Sequence, residues 1–130
     1  NKVKKFPLTS VIKKTEDGLG FYIPAKYQKD IFYKDCSEQD INLASEKLCV
    51  QAIKPQNTPI KLGMNFKNIP KSFISCLDDR TITIELQKKL SASIPKENKY
   101  EIRSGHSPFF SKPAELANIL NKIASKIYEY

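Results

Sequence analysis

Glycine, histidine and arginine are scarce in this sequence, and tryptophan is missing altogether. The four glycines stand at 18, 20, 63 and 105. That leaves no room for a Walker loop or a G-x-G-x-x-G phosphate cradle. His106 is the only histidine, and Cys36, Cys49 and Cys76 lie far apart. A four-ligand zinc centre of the usual spacing is therefore excluded. No apolar run approaches the ~18 residues of a membrane-spanning helix, so no membrane partner is expected. Arg80 and Arg103 are the only arginines among 22 basic residues. Bidentate recognition of phosphates and bases favours arginine, so the net charge of +8 does not by itself point to nucleic acid. The lysines also mingle with acids, as in Lys34-Asp35, Glu46-Lys47 and Lys96-Glu97, and form no basic stripe. They read as a solvated surface.

The remainder has the composition of a globular protein. The chain holds 130 residues, of which 40% are hydrophobic and 28% charged. That is room for one domain and too apolar for a disordered tail. The three cysteines each sit beside apolar residues and read as buried, reduced thiols of a reducing compartment, which points to the cytoplasm.

Two parts of different character are expected. Residues 1–70 hold five of the eight prolines and read as short helices and loops. Ser37-Glu38-Gln39-Asp40 has the form of a capping box. Behind it Ile41, Ala44 and Leu48 mark one buried face of a helix reaching about Val50. Gln56 to Leu62 reads as an extended, proline-bounded linker. Residues 71–130 are more sharply periodic. Phe73 to Leu77 is a nearly all-apolar run, as in a parallel strand covered on both faces. Ile82, Leu86 and Leu90 predict a helix of about three turns, and Lys99 to Arg103 alternates as a strand near a sheet edge. Pro113 opens a last helix with the stripe Leu116, Ile119, Leu120, Ile123 and Ile127. Strand, helix, strand, helix is an α/β unit with right-handed crossovers.

In such a sheet, ligands bind beyond the carboxyl ends of the strands. Asp78 or Asp79 stands at that end of the first strand, and His106 just past the second. A carboxylate there can hold the imidazole in one tautomer and stabilise its protonated form, as a general base requires. The alternative is a helix-capping aspartate and an ordinary loop histidine.

Three segments carry a resemblance. FISCLDDRTITIEL from Phe73 to Leu86, SGHSPFFSKPAEL from Ser104 to Leu116 and FYKDCSEQD from Phe32 to Asp40 resemble an α/β-hydrolase. The similar branch is the plant-type methylesterase and hydroxynitrile lyase group with its bacterial relatives. The likeness runs from about Phe21 onward. It implies an α/β fold: the C-terminal half of an α/β-hydrolase, with cap and return linker in 1–70 and two parallel strand–helix units of the core in 71–130. It also implies a triad acid at Asp79, with Asp78 in reserve, and a triad base at His106. Phe21, Tyr22 and Phe109 are candidates to line an acyl or alcohol pocket, or simply to pack the cap onto the core. No metal or organic cofactor is required.

One departure from the family pattern is large. The nucleophile turn G-x-S-x-G needs two glycines four positions apart, and no pair here has that spacing. The amides of the oxyanion hole go missing with it. The expected function is therefore the acid/base part of a serine carboxylesterase. Its partners are a small-molecule ester and the N-terminal half of the same hydrolase, and residue 1 is not expected to be the natural start. Two other readings stand beside it. One is a binding module that keeps the fold without catalysis. The other is a hydroxynitrile lyase, which Ser107 disfavours because that group has a lysine directly after the histidine.

Overall fold

The computed structural model describes residues 8–128. Its N-terminal part holds more strand than the sequence suggests. After a 3₁₀ turn at Leu8–Ser10, β1 (Lys13–Lys14) and β2 (Gly20–Tyr22) form an antiparallel hairpin. Gly18, at φ +70°, takes the left-handed turn position that a side chain would resist. β3 (Gln51–Ala52) pairs antiparallel with the other edge of β2. The expectation of helices and loops alone missed this sheet. Strands of two or three residues are too short to display an alternating pattern.

α1 (Ala25–Phe32) follows Pro24, and α2 (Glu38–Lys47) follows Ser37. Ser37 caps α2 as expected, accepting from the Asp40 amide at 3.1 Å. Ile41 and Ala44 are buried, but Leu48 is 41% exposed. The helix stops at Lys47, so Leu48 and Val50 turn away from its buried face. The expected linker at Gln56–Leu62 is partly helical, because α3 (Ile53–Asn57) reaches into it and α4 (Met64–Asn68) follows. Two apolar clusters hold this part together: Val11, Ile23 and Ile31, and Tyr33, Ile41 and Ala44. Phe32 packs against both.

The C-terminal part follows the expected order. β4 (Phe73–Cys76) pairs in parallel with β5 (Lys99–Ile102), from Phe73 opposite Lys99 to Cys76 opposite Ile102. All four residues of β4 are only half-buried, whereas both faces were expected to be covered. Two strands and one short crossover helix supply too little surface to close them. α5 (Ile84–Leu90) starts after the cap Thr83, later than Ile82. Its expected apolar stripe faces outward, with Leu86 43% and Leu90 58% exposed. The residue turned inward is Gln87, at 3% exposure. Its carboxamide accepts from the Cys76 amide and donates to the Cys76 and Ile82 carbonyls, at 2.9, 2.9 and 2.7 Å. A polar side chain thus completes the edge of β4 where no further strand lies beside it.

α6 (Pro108–Ser111) and α7 (Pro113–Tyr128) close the described chain. Leu116, Ile119 and Ile123 are half-buried and Leu120 is half-exposed, while the Ile127 side chain lies outside the described residues. Ile102, at 1% exposure, is the most buried apolar side chain of the sheet. The thiols also differ from expectation: Cys36 and Cys76 are partly buried, but Cys49 is exposed. It follows the end of α2, where no second layer covers it.

Candidate active site

The ladder between the parallel strands continues past their formal ends. The Leu77 amide donates to the Ile102 carbonyl and the Asp78 amide to the Ser104 carbonyl, each at 3.0 Å. This carries the turn after β4 alongside the loop after β5, at the carboxyl ends of both strands. Asp79 lies in that turn, and its side chain is 6% exposed. Its Oδ1 accepts from the amides of Thr81 and Ile82 at 2.7 and 3.0 Å, which fixes the plane of the carboxylate. Its Oδ2 lies 2.9 Å from His106 Nδ1. A carboxylate acceptor selects the tautomer with the proton on Nδ1, leaving the lone pair on Nε2. The imidazole is 32% exposed, wet enough to exchange a proton and sheltered enough to hold one geometry.

The electrostatics agree with the contacts. Burial pushes the Asp79 carboxyl up, but the His106 hydrogen bond, the Ile82 and Thr81 amides and the imidazole charge outweigh it and hold it below the usual carboxylate range. Burial is also the main reason that the Cys36 thiol is raised to about 11, with Asp35 and Asp40 adding to it.

Of the residues singled out in the sequence, Asp79 and His106 come together. Asp78 does not join them: its amide serves the ladder, and the residue borders a cleft of about 470 Å³ with Asp79, Asp35 and Gly105. Phe21 and Tyr22 sit on β2 in the antiparallel sheet, and Phe109 lies on α6, 4.9 Å from Phe110. Among the described residues none of the three has a ring contact with His106. The aromatic at the imidazole is Phe32, whose ring centre is 5.3 Å away. The sequence reading passed over it, although it opens the FYKDCSEQD segment. A larger concavity of about 710 Å³ lies at the opposite end of the strands, between Pro70, Lys71, Ile94 and Pro95. It shares no residue with the dyad. No group of three His, Cys, Asp or Glu side chains placed to hold a metal ion occurs among the described residues.

No family model matches the chain. Individual relatives do. A putative chloroplastic methylesterase of Arabidopsis thaliana is 31% identical over 98 residues, which cover 74% of this chain and 25% of the relative. Methylesterase 17 of the same plant is 28% identical over 111 residues, covering 81% and 40%. A pyrethroid hydrolase of Sphingobium wenxiniae is 25% identical, covering 78% and 37%. Among solved structures, an Arabidopsis methylesterase superposes with a TM-score of 0.80 at 21% identity, over 88% of this chain and 52% of that one. A pyrethroid hydrolase from Sphingobium faniae gives 0.78 at 22%, over 93% and 49%. The chain has the fold of the C-terminal half of an α/β-hydrolase, and it is similar in sequence to methylesterases and a pyrethroid hydrolase. It spans about half the length of the solved α/β-hydrolases and a smaller share of these curated relatives. The α/β-hydrolase fold also accounts for the half-covered parallel pair, because β4 and β5 are two strands of a fold that needs a larger sheet.

Proposed function

We propose that this chain supplies the acid and the base of a serine carboxylesterase whose nucleophile and oxyanion hole lie outside these 130 residues. The observation that carries the reading is the 2.9 Å pairing of Asp79 with His106 Nδ1 at the carboxyl ends of adjacent parallel strands. His106 takes the serine proton on Nε2 and returns it to the leaving alcohol. Asp79 holds the ring and stabilises the imidazolium between those steps. The missing half of the sheet then brings the elbow serine to Nε2. The relatives' names, methylesterase and pyrethroid hydrolase, favour a small ester substrate. Phe32 forms one apolar wall beside the imidazole. Phe21, Tyr22 and Phe109 join the pocket only where the remaining half of the hydrolase approaches them.

Ser107, at 2% exposure, brings no positive charge to the base, so cyanohydrin cleavage is not expected. The test uses the hydrolase that contains this chain. Short-chain p-nitrophenyl esters should be hydrolysed, and His106→Ala should lower the rate by roughly 10³-fold or more. An undiminished rate in that variant, or rapid cyanide release from a cyanohydrin by the unmutated protein, overturns the reading.

A further inference from the structure

The segment from Ile31 to Asp35, at the end of α1, touches both loops of the dyad. On the acid side, the Thr81 hydroxyl donates to the Ile31 carbonyl at 2.8 Å, two residues beyond Asp79. On the base side, the Gly105 amide donates to Asp35 Oδ2 at 2.7 Å, directly before His106. Between these anchors the Phe32 ring stands against the imidazole, tilted by 36°, and Tyr33 meets Phe110 edge-on at 6.2 Å. Asp35 has no capping duty, because Ser37 already caps α2. Gly105 has an ordinary φ, so its backbone alone does not require glycine. What requires it is proximity: a Cβ there would stand 2.5 Å from Asp35 Oδ1 and 3.2 Å from Cγ. The carboxylate and the bare glycine fit as a pair.

We propose that Asp35 is a positioning residue for His106: from the cap side it fixes the loop that carries the base, so that cap docking and the acid–base geometry form one unit. The proposal rests on His106 being the base. Asp35 reaches the Gly105 amide rather than the imidazole. It acts by anchoring the amide that precedes the base, and misplacing a catalytic group by about 1 Å can cost roughly 10²-fold in rate. A charged acceptor makes this anchor stronger than a carbonyl would.

The test compares Asp35→Ala, Asp35→Asn and Gly105→Ala in the hydrolase containing this chain, with ¹⁵N-histidine in this chain only. His106 then gives a single imidazole signature, because it is the only histidine in this sequence. Asp35→Ala should lower kcat by about tenfold or more while KM stays within about twofold, and should weaken the Nδ1–H signal of the Asp79 bond. Asp35→Asn, whose amide oxygen still accepts from Gly105, should recover to within about threefold. Gly105→Ala pushes the carboxylate aside and should resemble Asp35→Ala, with no further loss in the double variant. If Asp35→Ala does not fold, Gly105→Ala decides alone. The proposal is overturned if kcat and the imidazole signal are unchanged, if only KM moves, or if Asn is as impaired as Ala. Should the unmutated protein hydrolyse no ester, the proposed function fails, while the imidazole signal still reports on the anchoring by Asp35.

Discussion

At the scale of single side chains, the titration of the Asp79–His106 pair is open to measurement. Asp79 has a folded pKa below its ordinary value of 3.8. A depressed carboxylate stabilises the fold fully above the unfolded value and loses that contribution as pH falls through the folded one. The hydrolase should therefore lose stability below about pH 4, and Asp79→Asn should flatten that acid limb in melts recorded from pH 5 to 2. A limb of unchanged steepness would show that Asp79 is not the group responsible. The thiols divide in the same way. Cys36, raised to about 11, holds only about a thousandth of its thiolate at pH 8, and burial raises Cys76 as well. Cys49 is exposed, so a maleimide should label it at least about tenfold faster than either. Mass spectrometry after partial labelling gives the order, and prior modification of Cys36 would contradict it. The meeting of His106 with an aspartate after β4 was legible in the sequence, because strand ends in a parallel sheet point to one edge, and the resemblance chose Asp79 over Asp78. Asp35 and Phe32 were not. Their partners lie 70 or more residues away, and no local pattern encodes such a meeting.

Among the elements, α5 departs furthest from its pattern. Ile82, Leu86 and Leu90 keep helical spacing, yet the position turned toward the strand belongs to Gln87. Periodicity finds a helix, but it finds the buried face only when that face meets apolar neighbours. Here the neighbour is the edge of a strand, whose amide and carbonyl want hydrogen bonds. Gln87→Leu would leave the Cys76 amide and carbonyl and the Ile82 carbonyl without these partners. The expected loss is about 2–4 kcal/mol in urea denaturation of the hydrolase. Gln87→Glu should also destabilise, since a carboxylate cannot donate to two carbonyls. An unmoved midpoint in both variants would deny the edge any need of that carboxamide. The short strands β1 to β3 were invisible for a simpler reason. Two or three residues cannot show a period of two, and their pairing depends on partners as far apart as Gly20 and Ala52.

For the molecule as a whole, the decisive fact is how little sheet the described residues contain. A two-stranded parallel pair with half-buried residues is a poor core, and Ile60, Met64, Ile69 and Leu90 are each more than half exposed. Produced alone, the chain should bind a hydrophobic dye, aggregate with rising concentration and hydrolyse no ester. Adding the elbow-bearing half of the hydrolase should restore a cooperative melt and turnover, as calorimetry and assay would report together. A monodisperse lone chain with a sharp melt would contradict this. The architecture itself was readable, because parallel strands and crossover helices leave their periods in the sequence. The two anchors of the segment from Ile31 to Asp35 also have a consequence in time. They join residues 50 and 70 positions apart, whereas the first rung of the parallel pair joins Phe73 to Lys99. Longer loops close at greater entropic cost, so the anchors are expected to form after the rungs. During synthesis, at about 5–20 residues per second, Asp35 leaves the ribosome roughly 4–14 s before Gly105. For those seconds Asp35 has nothing to hold, and Phe32 has no imidazole to meet.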